Sequence, residues 1–253
     1  MNAHDGCGML DGKVFFVAGV GPIMGSATAL VAAREGAKVA LVARRKETAG
    51  EVADTIRTAG GAAISLQCDL SDDGQVRAAV DAVLAEWGRV DAVFYNAAYY
   101  DHKNTDLDVD EAMWDSAMSV NFGGAMSLTR SVIPSMIENG GGVFVYNSSG
   151  SSLRAEDVRP GYGISKSALN AMMRFVAFRY GRHGIRANAI LPFVFEFEDA
   201  DAALSMNCLG RSGTADEIGE AVVFLCSDRA SIITGEMIHL DGGLFSRAVW
   251  PSR

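Results

Sequence analysis

The chain has 253 residues, 49% of them hydrophobic and 21% charged, and its 22 basic against 31 acidic side chains leave a net charge of −9. A chain of this length can bury a substantial core, as one large α/β domain or two small ones. The acidic balance argues against nucleic acid or an anionic membrane surface as partner, and no apolar run reaches the ~18 residues needed to cross a bilayer.

The first seven residues have neither the basic start nor the apolar core of a signal peptide, so a cytoplasmic location is expected. Cys7, Cys68, Cys208 and Cys226 form no CxxC pair, and His4, His102, His183 and His239 lack ligand spacing. Neither a disulfide framework nor a metal site is expected.

A first short β-branched and aromatic run, Val14–Val17, leads into Gly19-Val20-Gly21-Pro22-Ile23-Met24-Gly25 and then a helical pattern, Met24–Glu35, stopped by Gly36. Strand, glycine turn and helix start together make a site for a dinucleotide pyrophosphate, because backbone N–H groups and the helix dipole point at the anion. The GxGxxG spacing is met at Gly19 and Gly21 but not at Met24. A β-branched Ile23 beside the phosphates is expected to crowd them or push the loop outward.

The second strand, Val39–Val42, is followed by Ala43 and then Arg44, Arg45 and Lys46. A carboxylate at this tip would bind the ribose 2′-hydroxyl of NAD, whereas arginines suit the 2′-phosphate of NADP. NADP(H) is therefore the expected carrier, with NAD(H) the alternative. The third strand, Ala63–Gln67, precedes Asp69 and Leu70, where a carboxylate can accept from an adenine amino group. The next helix starts near Ser71 and stops at Gly88. A fourth strand, Asp91–Tyr95, ends in Asn96, Ala97 and Ala98, small enough for a nicotinamide to lie against.

Three more strands complete the pattern, Val143–Asn147, Arg186–Ile190 and Met237–Leu240, and Thr214-Ala-Asp-Glu217 is a capping box ahead of an apolar helical stripe. Strands alternating with helices, and strands nearly continuous in apolar residues, indicate a parallel sheet covered on both faces. No linker or internal repeat interrupts the alternation, so a single domain over residues 1–253 is expected. The stretches Ser148–Pro160 and Pro192–Gly213 escape the pattern after strand ends, where open α/β sheets place ligands.

The chemistry concentrates at Tyr162 and Lys166, four residues apart and therefore on one helix face. A free tyrosine has a pKa of ~10 and is a poor base at neutral pH, but a neighbouring ammonium favours its phenolate. A serine of the Ser148-Ser149 pair would hold a carbonyl oxygen while Tyr162 gives or takes its proton. That combination suits interconversion of an alcohol and a ketone.

Taken in order, the glycine loop, Asp69-Leu70, Asn96-Ala97-Ala98, Asn121, Ser149, Tyr162 with Lys166, Asn188 to Pro192 and Asp241-Gly-Gly243 resemble the short-chain dehydrogenase/reductase family, from about Leu10 to Gly243. The resemblance implies a Rossmann-type doubly wound sheet of seven parallel strands and NAD(P)-linked chemistry on an alcohol or carbonyl. It implies Tyr162 as general acid/base, Lys166 as the group that lowers its pKa and binds the nicotinamide ribose, Ser149 as the substrate-oxygen partner, and Asn121 as holder of a relay water. It also places Pro192 and Val194 at the nicotinamide end and implies a homodimer or homotetramer through the helices around residues 111–137 and 160–182.

The chain departs from the family pattern at Ala18, where a threonine usually ties the loop to the Asn96 segment. It departs again at Ile23 in place of a glycine and at Phe193 in place of the glycine after Pro192. The altered loops keep two alternatives open, a cofactor-independent lyase or dehalogenase-like enzyme and a non-catalytic nucleotide sensor. Tyr99, Tyr100, Leu153 and the aromatic run from Phe193 to Phe197 suggest an apolar or aromatic small-molecule substrate.

Overall fold

The computed structural model describes residues 8–101, 110–155, 160–193 and 207–246. Val194, Phe195 and Phe197 lie outside the described residues, as does most of the stretch between Pro192 and Gly213.

Seven strands form one sheet: β1 (Val14–Ala18), β2 (Lys38–Ala43), β3 (Ala63–Gln67), β4 (Ala92–Tyr95), β5 (Gly142–Asn147), β6 (Ile185–Pro192) and β7 (Met237–Leu240). Their order is β3-β2-β1-β4-β5-β6-β7, with every neighbouring pair parallel. This is the expected doubly wound Rossmann-type sheet. The chain reverses its direction of travel across the sheet between β1 and β4, so the loops leaving these two strands diverge and open a crevice at their carboxyl ends.

The helices lie on both faces: α1 (Met24–Arg34), α2 (Lys46–Thr58), α3 (Asp73–Trp87), α4 (Glu111–Met118), α5 (Gly124–Glu138), α6 (Pro160–Tyr180) and α7 (Ala215–Cys226). Strand periodicity explains the two cores. Phe15 and Val17 of β1 pack with Val31 of α1, Ile56 of α2 and Val222 of α7. Their neighbours Val14 and Phe16 pack on the other side with Val80 of α3, Leu128 of α5 and Leu169 of α6. All five residues of β1 are buried, as a central parallel strand requires. The edge strands β3 and β7 are only partly covered, unlike the central ones. Asp91 just precedes β4, its carboxylate accepting from Val14 N at 2.8 Å and from Arg89 Nε at 2.9 Å.

Local signals set the helix ends. Asp72 caps α3 by accepting from Gly74 N and Gln75 N, which moves the start two residues beyond Ser71, and Gly88 closes the helix in the left-handed region. The Thr214/Glu217 capping box starts α7. The helical region around residues 111–137 consists of α4 and α5 joined by a π-helical turn, Ser119–Gly123, that carries Asn121. Such turns put one extra residue into a helix and redirect a side chain, and they recur at functional sites.

Candidate cofactor cleft and proton-transfer site

A cleft of about 500 Å³ opens at the switch point. Its walls are the glycine loop from Gly19 through Gly21, Pro22 and Ile23 to Met24, then Arg44 and Arg45 beyond β2, Asp69 and Leu70 beyond β3, and Asn96, Ala97 and Ala98 beyond β4. Tyr99, Tyr100, Val120 and Asn147 close the inner end.

Two glycines of the loop are dictated by geometry. Gly19 has φ +95, and a Cβ there would sit 2.5 Å from Ala97 N; a Cβ on Gly25 would sit 2.6 Å from Gly19 O. Gly21 meets nothing within 4 Å. Ile23 stands just ahead of α1, is 38% exposed, and forms part of the cleft wall beside the glycine turn.

No side chain caps α1 and its first turn carries no acidic residue. Those helix-start N–H groups face the cleft without a resident carboxylate, which suits a phosphate anion.

The missing threonine hydroxyl at Ala18 is replaced by other bonds. Asn96 N and Ala97 N donate to Ala18 O at 2.8 and 3.0 Å, and Asn96 Nδ2 donates to Gly19 O at 2.7 Å. Asn147 Nδ2 in turn donates to Asn96 Oδ1 at 2.9 Å. The loop, the end of β4 and the end of β5 are thus locked together. Asn147 Oδ1 is buried at the inner end of the cleft with no hydrogen-bond partner, an unmet acceptor that a ligand amide or a water would satisfy.

At the outer end Ala43 is buried and Arg44 and Arg45 are exposed. The Asp69 carboxyl is held below the ordinary range chiefly by the Ser71 hydroxyl and amide, with a lesser contribution from the Arg44 charge. Asp69 Oδ1 accepts from Ser71 N at 2.9 Å and from Ser71 Oγ at 2.7 Å.

The proton-transfer group lies behind the inner wall, on α6 and at the end of β5. Lys166 is fully buried, and its Nζ donates to Asn147 O at 2.6 Å and lies 5.6 Å from the Tyr162 ring centroid. Burial brings its pKa down from the usual lysine range to about 7. In its charged form an ammonium placed beside the ring favours the phenolate over the neutral phenol. The lysine is close enough to tune Tyr162 without touching its ring.

The serine pair divides its work. Ser148 is buried, with its Oγ donating to Ser152 Oγ at 3.4 Å, whereas Ser149 is half-buried and its Oγ lies 3.0 Å from Ser151 Oγ. Of the two, Ser149 is the hydroxyl with access. The Asn121 side chain is wholly used inside the protein: Oδ1 accepts from Tyr99 N at 2.6 Å, and Nδ2 donates to Tyr99 O at 3.0 Å and Ser165 Oγ at 2.9 Å. The side chain therefore has no group left for a relay water.

Sequence reasoning missed three features here. The Tyr100 ring stacks on Tyr162 with centroids 4.6 Å apart, forming the partition between cleft and Tyr162. The Asp101 carboxylate is buried at the start of α6. Asn147 belongs both to the strand and to the cleft. No local signal marks any of them, because each partner comes from a distant segment. Pro192 ends β6 in register with Leu240 and does not border the cleft; Phe193 is buried, with its N–H donating to Leu240 O at 2.9 Å.

A crevice at the switch point of a seven-stranded parallel sheet, with a buried lysine beneath a tyrosine at its inner end, is the arrangement of a nucleotide-dependent oxidoreductase. The chain belongs to the short-chain dehydrogenase/reductase family, whose members use NAD(P)(H) on alcohol and carbonyl groups of small molecules. A family model described as enoyl-(acyl carrier protein) reductase matches residues 19–245. The chain is 34% identical to D-threitol dehydrogenase of Mycolicibacterium smegmatis over 92% of its length and 93% of the relative's. It is 28% identical to cyclohexanol dehydrogenase of an Acinetobacter species, covering 93% and 96% of the two chains. It also superposes with a TM-score of 0.86 and 29% identity on a 7α-hydroxysteroid dehydrogenase complexed with NADH and 7-oxo glycochenodeoxycholic acid, covering 92% and 94%. Among the described residues no helix is long and apolar enough to cross a membrane, and no cluster of metal-ligating side chains occurs.

Proposed function

We propose that the chain acts as a single-domain NADP(H)-dependent oxidoreductase that interconverts a secondary alcohol and a ketone, with Tyr162 as general acid/base. The observation that carries this reading is Lys166, fully buried yet aimed at the strand end beside Tyr162, where a charge is tolerated only for a use. The open cleft and the uncapped start of α1 favour a bound dinucleotide over the cofactor-free alternatives.

In this reading the glycine loop and the first turn of α1 hold the pyrophosphate, Asp69 and Leu70 flank the adenine, and Asn96 to Ala98 support the nicotinamide half. The bound nicotinamide supplies or takes the hydride. The rest is the work of this chain. Ser149 Oγ donates to the substrate oxygen, Tyr162 passes its phenolic proton to that oxygen in reduction or removes it in oxidation, and the Lys166 ammonium steadies the phenolate that forms. Asn121 keeps Tyr99 in place. The substrate is a small molecule with an apolar or ring-bearing body, packed near Tyr100.

Arg44 and Arg45, with Ala43 in place of an acid, support the choice of NADP(H). The aromatic side chains on the outer face of α6, Phe175 at 61% and Phe178 at 87% exposure, suit burial against a second copy of the chain in a homodimer or homotetramer. Titration followed by fluorescence tests the carrier: NADPH is expected to bind at least about tenfold tighter than NADH, and Arg44→Asp to remove that preference by losing ~1.4 kcal/mol or more. Tighter binding of NADH would overturn the carrier assignment, and binding of neither would overturn the function.

A further inference from the structure

The three residues leaving the Asn96–Ala98 segment are pinned from both sides. Asn121 takes both main-chain groups of Tyr99. Two residues later, Asp101 is completely buried, and its carboxylate accepts from Gly161 N at 2.9 Å through Oδ2 and from Tyr162 N at 3.0 Å through Oδ1. Between these anchors the Tyr100 ring lies on the Tyr162 ring, with an interplanar angle of 26°.

The first residue of α6 is Pro160, which has no N–H, so Gly161 and Tyr162 carry the first two donors that the helix cannot satisfy itself. A side chain just ahead of a helix normally takes these donors. Here a carboxylate from a segment 60 residues earlier takes them. Gly161 fits the same arrangement: a Cβ there would lie 2.9 Å from Asp101 Oδ2 and 3.3 Å from the Ala117 Cβ. The glycine leaves the space that lets the carboxylate reach the helix.

We propose that Asp101 is a positioning residue for the reaction, fixing the first turn of α6 so that Tyr162 is held under Tyr100 and in reach of the substrate oxygen. The inference rests on Tyr162 being the proton donor. Asp101 touches neither substrate nor cofactor; it acts through the backbone of Tyr162 itself. Because it binds two adjacent N–H groups with two oxygens, it sets both the height and the rotation of the turn. Displacement of a catalytic group by about 1 Å costs on the order of a hundredfold in rate. Asp101 does not itself line the cleft, and the walls beyond β2 and β3 come from other segments; the tether borders the cleft only at its inner end, one residue from Tyr100.

The test compares the full-length protein with Asp101→Asn, which keeps one acceptor, and with Gly161→Ala, which leaves the carboxylate intact but displaces it. Three quantities are read: NADPH affinity by fluorescence, turnover with the fastest ketone of a panel of cyclic and acyclic ketones, and hydrogen exchange of peptides covering residues 160–166. In both variants kcat is expected to fall about tenfold or more, NADPH affinity to stay within about twofold, and exchange to quicken in the first turn of α6. Unchanged kcat with faster exchange would reduce Asp101 to a helix cap and overturn the proposal. Parallel loss of kcat and NADPH affinity would also overturn it. Should the protein reduce no ketone of the panel, the proposed function fails; unchanged exchange in the variants would then refute the tether on its own.

Discussion

Tyr162→Phe is expected to lower turnover by about 10²- to 10⁴-fold, the range typical of losing a general acid or base. The substitution removes one oxygen and leaves the ring, so the stack with Tyr100 and the buried position at 5% exposure are retained. NADPH affinity should stay within about twofold, because the interaction lost is one made chiefly with the reacting oxygen. Steady-state kinetics and a fluorescence titration on the same preparation check both halves. A variant with full activity would mean that the proton comes from another group.

Lys166→Met is expected to have the second-largest effect, and its signature is pH dependence. Burial lowers the Lys166 pKa to about 7 in the folded chain, against ~10.4 in the unfolded one. Between those values the unfolded state binds more protons, so stability rises with pH. The contribution is complete above the unfolded pKa and is lost as pH falls through about 7. The stability difference between wild type and Lys166→Met should therefore grow in favour of wild type from about pH 7 upward, measured by denaturant unfolding. The same protonation governs ligand binding. An ammonium donating to ribose hydroxyls draws a proton onto Lys166, so wild-type NADPH affinity should weaken as pH rises above about 7, with the Met variant flat over that range. A flat wild-type profile would show that Lys166 does not meet the cofactor.

The low pKa also bears on how the pair works. A buried lysine that titrates near neutrality and the tyrosine beside it do not act as independent groups. Their protons belong to a coupled pair whose apparent values appear only in the intact site. The strand-end carbonyl of Asn147 holds the ammonium in place, so the charge is directed rather than free. Loss of that carbonyl's position, through Asn147 or its partner Asn96, would reach Tyr162 indirectly.

Much of the sheet was legible in the chain because buried parallel strands leave a local mark. Ala63–Gln67 and Met237–Leu240 match β3 and β7 as read, and the others differ by one or two residues at their ends. Tyr162 and Lys166 were legible for the same kind of reason: a four-residue spacing on a helix needs no tertiary information. What escaped depends on partners far away in sequence. The break between α4 and α5 is a π-turn that ends in Gly123 ahead of Gly124, a glycine pair that does not by itself distinguish a π-turn from a continuing helix, and Asn121 only reveals its purpose when Tyr99 is beside it. Asp101 reads as an ordinary polar loop residue until α6 is docked against it. Ala18 breaks a local pattern without loosening the loop, because the Asn96 amide ties it to Gly19 instead; Ile23 breaks one too and stands in the cleft wall.

The central claim is that hydride passes between NADPH and a carbonyl carbon while Tyr162 handles the proton. Mixing the protein with NADPH deuterated at the nicotinamide C4 position and the fastest ketone of the panel tests it most directly. One deuterium on the carbinol carbon of the alcohol product, seen by mass spectrometry in wild type and nearly absent with Tyr162→Phe, is the expected result. Product alcohol without deuterium, whichever C4 face is labelled, or no product at all from any ketone, would contradict it.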